Sequence, residues 1–227
     1  MKVLELFSGT QSISKQFRLA GHETYCIDND DYFSDITDLT ADILTVRAKH
    51  IIKSFGIPDI IWASPPCQTH SISAISHHRT SLNNGFGRTI KERKDSNTLI
   101  AKGNAAILHD KVLLKALMLI QELKPKYYFI ENPVGGMRRS LLMRGVFYRY
   151  TITYCQYGDT RIKPTDIWTN HPDPQFKAMC KNGDSCHVSA PRGSKTGTQG
   201  LKNSKERSRI PIEFCNHIVY IIGGKPK

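Results

Sequence analysis

Short apolar runs separated by polar, turn-forming stretches recur along most of this chain, and most are strand-length rather than helix-length. Residues 2–7 form a first apolar strand that stops at Ser8-Gly9-Thr10. Ser12 or Ser14 is placed to cap a helix reaching about Ala20, with Gly21 ending it. Residues 23–27 predict a second strand closed by Asp28-Asn29-Asp30, followed by a loop and a helix near 46–55. The run Ile60-Ile61-Trp62-Ala63 then breaks into Ser64-Pro65-Pro66-Cys67-Gln68, a buried strand ending in a rigid turn. From 69 to 105 the chain is polar, basic and without apolar periodicity, which predicts a long functional loop. Val112, Leu113, Ala116, Leu117, Ile120 and Leu123 share one face of a helix over 110–124. Strands follow at 127–130, ending in Glu131-Asn132-Pro133, at 147–155, and at a segment closed by Trp168. Residues 212–222 form a last helix or strand packing on the core. Strands alternating with helices imply a doubly wound α/β sheet.

Length and composition narrow the partners. The 227 residues suffice for one domain, 1–168, with a small module at 169–206 and a C-terminal segment, 207–227, returning to the core. A mean hydropathy of −0.38 and the lack of a long apolar run argue against a membrane span. Glu5 interrupts the only candidate leader, so a cytoplasmic protein is expected. Lys and Arg number 32 against 20 Asp and Glu, a net charge of +12 that favours a polyanion, nucleic acid first. The basic residues crowd two segments, one with Arg79, Arg88, Lys91, Arg93, Lys94 and Lys102, the other with Lys195, Lys202, Lys205, Arg207 and Arg209.

Six scattered cysteines do not make a disulfide framework. Cys26, Cys155 and Cys215 lie in apolar surroundings and are expected to pack. Cys67 differs, because its turn presents a thiol at the carboxyl edge of a sheet, where open α/β folds place their chemistry. The first turn, Phe7-Ser8-Gly9-Thr10, with an acid at Asp28 closing the next strand, is a nucleotide-cofactor arrangement with a thin glycine signature.

In order and spacing, Leu6-Phe7-Ser8-Gly9, Asp28, Pro65-Pro66-Cys67-Gln68 and Glu131-Asn132-Pro133 resemble the DNA cytosine-5 methyltransferases. Tyr157-Gly158-Asp159-Thr160-Arg161 with Lys163-Pro164-Thr165-Asp166-Ile167-Trp168 resembles the short phage-type members of that family. The resemblance implies a Rossmann-like S-adenosylmethionine-dependent methyltransferase sheet with a small irregular recognition module. It implies cofactor contacts from Phe7, Ser8, Gly9, Thr10, Asp28, Asn29, Asp42, Ile43, Ser64 and Pro66, with Asp38 competing with Asp42-Ile43 for the adenine. Two departures stand out: Gln11 and Ser12 replace the usual glycines of the first turn, and Lys163 replaces the second of two arginines.

The reaction independently asks for these residue types. Cytosine C5 is a poor nucleophile until a thiolate adds at C6, the role expected of Cys67, with its thiolate favoured by nearby positive charge and turn amides. Charge driven into the ring needs an acid at N3, expected of Glu131, and Arg161 is the candidate contact to O2. The base must be flipped out of the stack, with the 69–105 loop closing over it. Gln68, Ser71, Arg79, Arg88, Lys163, Arg192 and Lys195 are the expected contacts to double-stranded DNA. His77-His78 are expected to face phosphate or solvent, and Asn83-Asn84-Gly85 to supply flexibility. Gly193-Ser194-Lys195-Thr196-Gly197 suits DNA backbone contact rather than a nucleotide site.

His171, Cys180, Cys186 and His187 invite a zinc site, although their spacing is not a CxxC knuckle, and a small packed loop is the alternative. So small a module predicts a recognition sequence of about two to four base pairs. The expectation is therefore a monomeric cytosine-5 methyltransferase in a bacterial host, protecting phage DNA from restriction. RNA as substrate, a different transferred carbon group, or a non-catalytic DNA binder remain the alternatives.

Overall fold

In the computed structural model, residues 1–82, 98–146, 148–181, 183–189 and 204–223 are described, with backbone alone for 204 and 205. The apolar runs become β1 (Lys2–Leu6), β2 (Glu23–Asp28), β3 (Leu39–Thr40), β4 (Ile60–Ala63), β7 (Tyr127–Pro133), β8 (Tyr148–Thr153) and β9 (Pro164–Thr169). They form one seven-stranded sheet in the order β3-β2-β1-β4-β7-β9-β8. Pairing is parallel throughout except at β9, which runs antiparallel to both β7 and β8. The order reverses between β1 and β4, so the carboxyl ends of those strands flank a switch-point crevice.

The period of two in the strands builds two cores. One face buries Leu4, Leu6, Ile61, Ala63 and Ile130 against α4 (Asn104–Leu123), which contributes Val112, Leu113, Ala116 and Leu119. That face also receives Ala48 and Ile51 of α2 (Ala48–Ser54). The other face buries Val3, Ile60, Trp62, Phe129 and Ile167 under α1 (Ser12–Leu19) and α6 (Ile212–Ile221). Each such side chain removed from water contributes roughly 1.5–3 kcal/mol. The tail is thus a helix, seated on α1.

Neither serine caps α1. Its N-cap is Gln11, in left-handed conformation at φ 55°, and the buried Glu5 carboxylate accepts from Ser14 N at 2.9 Å. A side chain from the neighbouring strand replaces the local cap, because Ser14 is itself buried against Cys26, whose thiol donates to Ser14 Oγ at 3.1 Å.

The segment expected to be one long loop carries structure of its own. A short helix, α3 (Ile75–His78), leads into β5 (Arg79–Leu82), which pairs antiparallel with β6 (Thr98–Ala101). Helix α4 begins at Asn104, six residues before its predicted start. Residues 170–181 and 183–189 contain no helix or strand, and α5 (Ser204–Ser208) precedes the tail. Asn83, Asn84, Gly85, Arg88, Lys91, Arg93, Lys94, Arg192, the 193–197 stretch with Lys195, and Lys202 lie outside the described residues.

Candidate active site

A shallow cleft opens over the ends of β1, β2 and β4, lined by Phe7, Ile27, Asp28, Asn29, Ala41, Asp42, Ile43, Pro66 and Val112. Phe7, Asp28, Asn29, Asp42, Ile43 and Pro66 were all expected from sequence. Ile27, Ala41 and Val112 were missed because each looks like ordinary core. The β1 turn is held in shape by left-handed residues at Phe7 (φ 60°) and Gly9 (φ 45°). Gly9 N donates to Asp28 Oδ2 at 2.7 Å, and Asp30 N donates to Asp28 Oδ1 at 2.9 Å. Ser8 Oγ is buried without a hydrogen-bond partner among the described residues. Thr10 Oγ1 lies 2.9 Å from Ser12 Oγ, and Ser64 Oγ accepts from Trp62 Nε1 at 2.9 Å, so neither residue lines the cleft.

Gln11 and Ser12, where glycines were expected, have structural partners. Gln11 is buried, donates through Nε2 to the Ile36 carbonyl and accepts from Arg18 at 2.8 Å. Ser12 Oγ accepts from Ile210 N at 3.4 Å, tying the turn after β1 to the tail. Asp42 accepts from Leu44 N at 2.9 Å and lines the cleft. Asp38 instead accepts from Cys26 N at 2.7 Å and does not line the cleft, which leaves Asp42 of those two acids facing it.

Cys67 is half-buried beyond the two prolines. Its carbonyl accepts from His70 N and Ser71 N, both at 2.9 Å, so the turn closes into a helical loop with Gln68 exposed on its outside. The turn is tied to β7, because Asn132 Nδ2 donates to the Pro65 carbonyl at 2.9 Å. Gly136 N donates to the His70 carbonyl at 2.7 Å, and a Cβ at Gly135 would come within 2.3 Å of that oxygen. Glycine is required there by the close approach of two backbones. Burial and then the Glu131 charge push the Cys67 thiol up, only partly offset by Lys163 and Arg207. This corrects the expectation of a thiolate favoured in the free protein: the desolvated turn outweighs the cations.

Glu131 sits at the end of β7, buried, and accepts from Tyr154 Oη at 2.9 Å. Tyr154 lies in the helical turn after β8 and was not singled out from sequence, since a buried tyrosine in an apolar strand reads as core. Lys163 Nζ stacks 4.7 Å over the Tyr154 ring and donates to the Arg207 carbonyl at 2.8 Å. Burial pulls the Lys163 pKa down against the pull of Glu131. Arg161 is buried and clamped by Asp159: Nε lies 2.9 Å from Oδ1 and NH2 lies 2.5 Å from Oδ2. Burial opposes ionisation of Asp159, but the Arg161 hydrogen bonds and charge outweigh it and its pKa is lowered.

Arg79, expected on DNA, is buried instead. It donates to the Thr69 carbonyl at 2.9 Å and pairs with Asp110 at 2.8 Å, fastening the Cys67 loop to α4. His70, buried beside it, is pushed down to about 3 by burial and by the Arg79 charge. Ser71 Oγ lies 3.0 Å from Ser73 Oγ on the outer side of the loop.

The expected zinc set divides. His171 is drawn into the second core, its Nε2 3.2 Å from the Ile221 carbonyl and its Nδ1 accepting from Asp173 N at 3.3 Å. Cys155, expected to pack, stands instead beside Cys180, Cys186 and His187, and the four ligand atoms lie within 4.8 Å of one another.

This strand order, with β9 alone reversed, is the arrangement of Rossmann-like methyltransferases. No family model matches the sequence. A probable DNA (cytosine-5)-methyltransferase of Frog virus 3 (isolate Goorha) is 30% identical over 188 residues, covering 82% of this chain and 78% of that protein. The chain therefore belongs to the DNA (cytosine-5)-methyltransferase family. Among solved structures, a putative DNA modification methyltransferase encoded within an E. coli prophage is 18% identical, with a TM-score of 0.47. It matches over 74% of this chain and 46% of its own length. S. pombe Dnmt2 methyltransferase is 19% identical at a TM-score of 0.44, over 74% of this chain and 48% of its own. The chain spans about half the length of these solved structures.

Proposed function

We propose that this chain transfers a methyl group from S-adenosylmethionine to C5 of cytosine in double-stranded DNA. The observation that carries the reading is the convergence of three strand ends: the acid-lined cleft, the Cys67 turn and Glu131 meet at one edge of the sheet. The cleft fits the cofactor chemically. Asp28 and Asn29 suit ribose hydroxyls, and Asp42 with Ile43 suits the adenine edge and face. The bound cofactor supplies an electrophilic methyl group.

The protein's residues act on the flipped base. The Cys67 sulfur bonds to C6, and Glu131 offsets the charge developing at N3 by sharing a proton there. With the methyl group on C5 and the spent cofactor left as a neutral thioether, loss of the C5 proton to water would form the C5–C6 double bond and expel the Cys67 thiolate from C6. Arg161, fixed by Asp159, is the contact proposed for O2. Gln68 and Ser71, on the exposed side of the Cys67 loop, are the proposed DNA contacts among the described residues, whereas Lys163, expected on DNA, has its ammonium turned onto the Tyr154 ring and the Arg207 carbonyl. A short recognition sequence follows from the small module, and protection of the encoding genome from cleavage is the role that family type supports.

The deciding experiment incubates the protein with methyl-labelled S-adenosylmethionine and unmodified duplex DNA, then identifies the nucleosides by mass spectrometry. 5-Methylcytosine in wild type, none with Cys67→Ser, and DNA binding in both is the expected result. Label in RNA alone, a different modified base, or turnover by Cys67→Ser near wild type would overturn the reading.

A further inference from the structure

Residues 170–181 and 183–189 contain no helix or strand, yet they are tied to β8 and the turns that follow it. Lys177 N donates to Tyr157 Oη at 2.9 Å, Cys180 N to Thr153 Oγ1 at 3.0 Å, and Val188 N to the Thr160 carbonyl at 2.9 Å. A segment this short and polar buries too little apolar surface to order itself, and such segments commonly rely on a staple.

Three thiols and an imidazole meet where that segment touches the turn after β8. Cys155 Sγ lies 3.0 Å from Cys180 Sγ and 3.6 Å from Cys186 Sγ. His187 Nδ1 lies 3.8 Å from Cys180 Sγ and 3.6 Å from Cys186 Sγ. A tetrahedral zinc ion holds sulfur ligands about 3.8 Å apart, and sulfur and nitrogen slightly closer. Three of these edges, at 3.6–3.8 Å, lie close to that spacing, and the Cys155–Cys180 edge, at 3.0 Å, is shorter. That pair is nevertheless well beyond disulfide bonding distance. Cys155 and Cys180 are buried, and Gln156 Nε2 approaches Cys186 Sγ at 3.5 Å, as an outer donor to a bound thiolate does.

We infer that Cys155, Cys180, Cys186 and His187 form a closed structural zinc site that staples residues 170–189 to the turn after β8. Three sulfurs and one imidazole nitrogen with no open position suit Zn²⁺ over harder cations, and its role is structural rather than catalytic. Adjacent Cys186 and His187 both serve because the imidazole folds back to present Nδ1 rather than Nε2. The same turn carries Tyr154, which holds Glu131, and the next loop carries Asp159 and Arg161. The staple therefore fixes the recognition segment relative to the candidate active site.

The test is made on the full chain under reducing conditions. Elemental analysis of wild type is expected to give one zinc per chain, and Co²⁺ added to metal-free protein is expected to give the visible absorption and sulfur-to-metal charge transfer of a tetrahedral thiolate site. Cys186→Ser should lose the metal, Cys186→His should retain it, and Cys67→Ser should retain it in full. Metal removal should raise amide exchange across 170–189 while leaving β1, β4 and α4 unchanged. Zinc well below one per chain in wild type, undiminished zinc in Cys180→Ser and Cys186→Ser, or a Cys155–Cys180 disulfide in protein alkylated directly from cells would overturn the inference. The wild-type metal content and cobalt spectrum decide the matter even if a cysteine variant fails to fold.

Discussion

Asn132 Nδ2 donates to the carbonyl of Pro65 at 2.9 Å, so the end of β7 holds the turn that carries Cys67. Asn132 is buried, and its neighbour Glu131 takes its orientation from the same strand end. Two proline rings restrict the turn internally, but they cannot fix its position relative to the acid; a hydrogen bond across the sheet does. Asn132→Ala should therefore slow transfer by about 10- to 100-fold, chiefly in kcat, because the reacting groups lose registry. Steady-state kinetics at saturating DNA would check this, with the denaturation midpoint showing about 1 kcal/mol of lost stability. A change confined to KM would argue against the positioning role.

Cys67 has a thiol pushed up by burial and by the Glu131 charge, with Lys163 pulling the other way. Removing that ammonium raises the thiol further, so the rising limb of the pH–rate profile should move to higher pH in Lys163→Met. Wild-type activity should itself still be rising above neutral pH, since only the thiolate attacks. A limb that stays in place in Lys163→Met would separate the lysine from the thiol.

How much of this was legible in the sequence depends on the range of each interaction. Phe7 and Asp28 were readable because turn chemistry is local, whereas Asp42 came from the family resemblance. The β5–β6 pair was not, since a four-residue polar strand such as Arg79–Leu82 has no apolar alternation and exists only by pairing. His171 and Cys155 exchanged roles for a similar reason. A histidine tilted against the Tyr127 ring and a cysteine facing a loop 25 residues away are set by tertiary contacts, which spacing does not encode.

Arg79 bears on that last point. Its guanidinium is shut away with Thr69, His70 and Asp110, so it anchors the loop rather than meeting phosphate. Breaking the pair leaves Asp110 partly exposed, which moderates the usual penalty for a severed buried pair; Arg79→Met should cost about 2–3 kcal/mol. The salt dependence of DNA binding separates the two roles. A phosphate contact removed would lower the slope by about 1, whereas an anchor removed leaves the slope unchanged.

Glu5 lies beneath the first turn of α1, accepting from Ser14 N, and burial raises its carboxyl to about 7 from 4.5. The folded protein holds the proton more tightly than the unfolded chain. The stabilisation from protonated Glu5 is thus complete below pH 4.5 and lost as pH rises to about 7. The full swing is at most about 3 kcal/mol for a shift of this size. Glu5→Gln keeps an acceptor for Ser14 N and cannot ionise, so its stability relative to wild type should grow between those pH values and level off above them. Urea midpoints for both proteins at pH 5 and pH 8 give the comparison. A wild-type–variant difference that is flat with pH would mean that Glu5 stays ionised in the fold, held by Ser14 and Arg18 more strongly than its burial opposes.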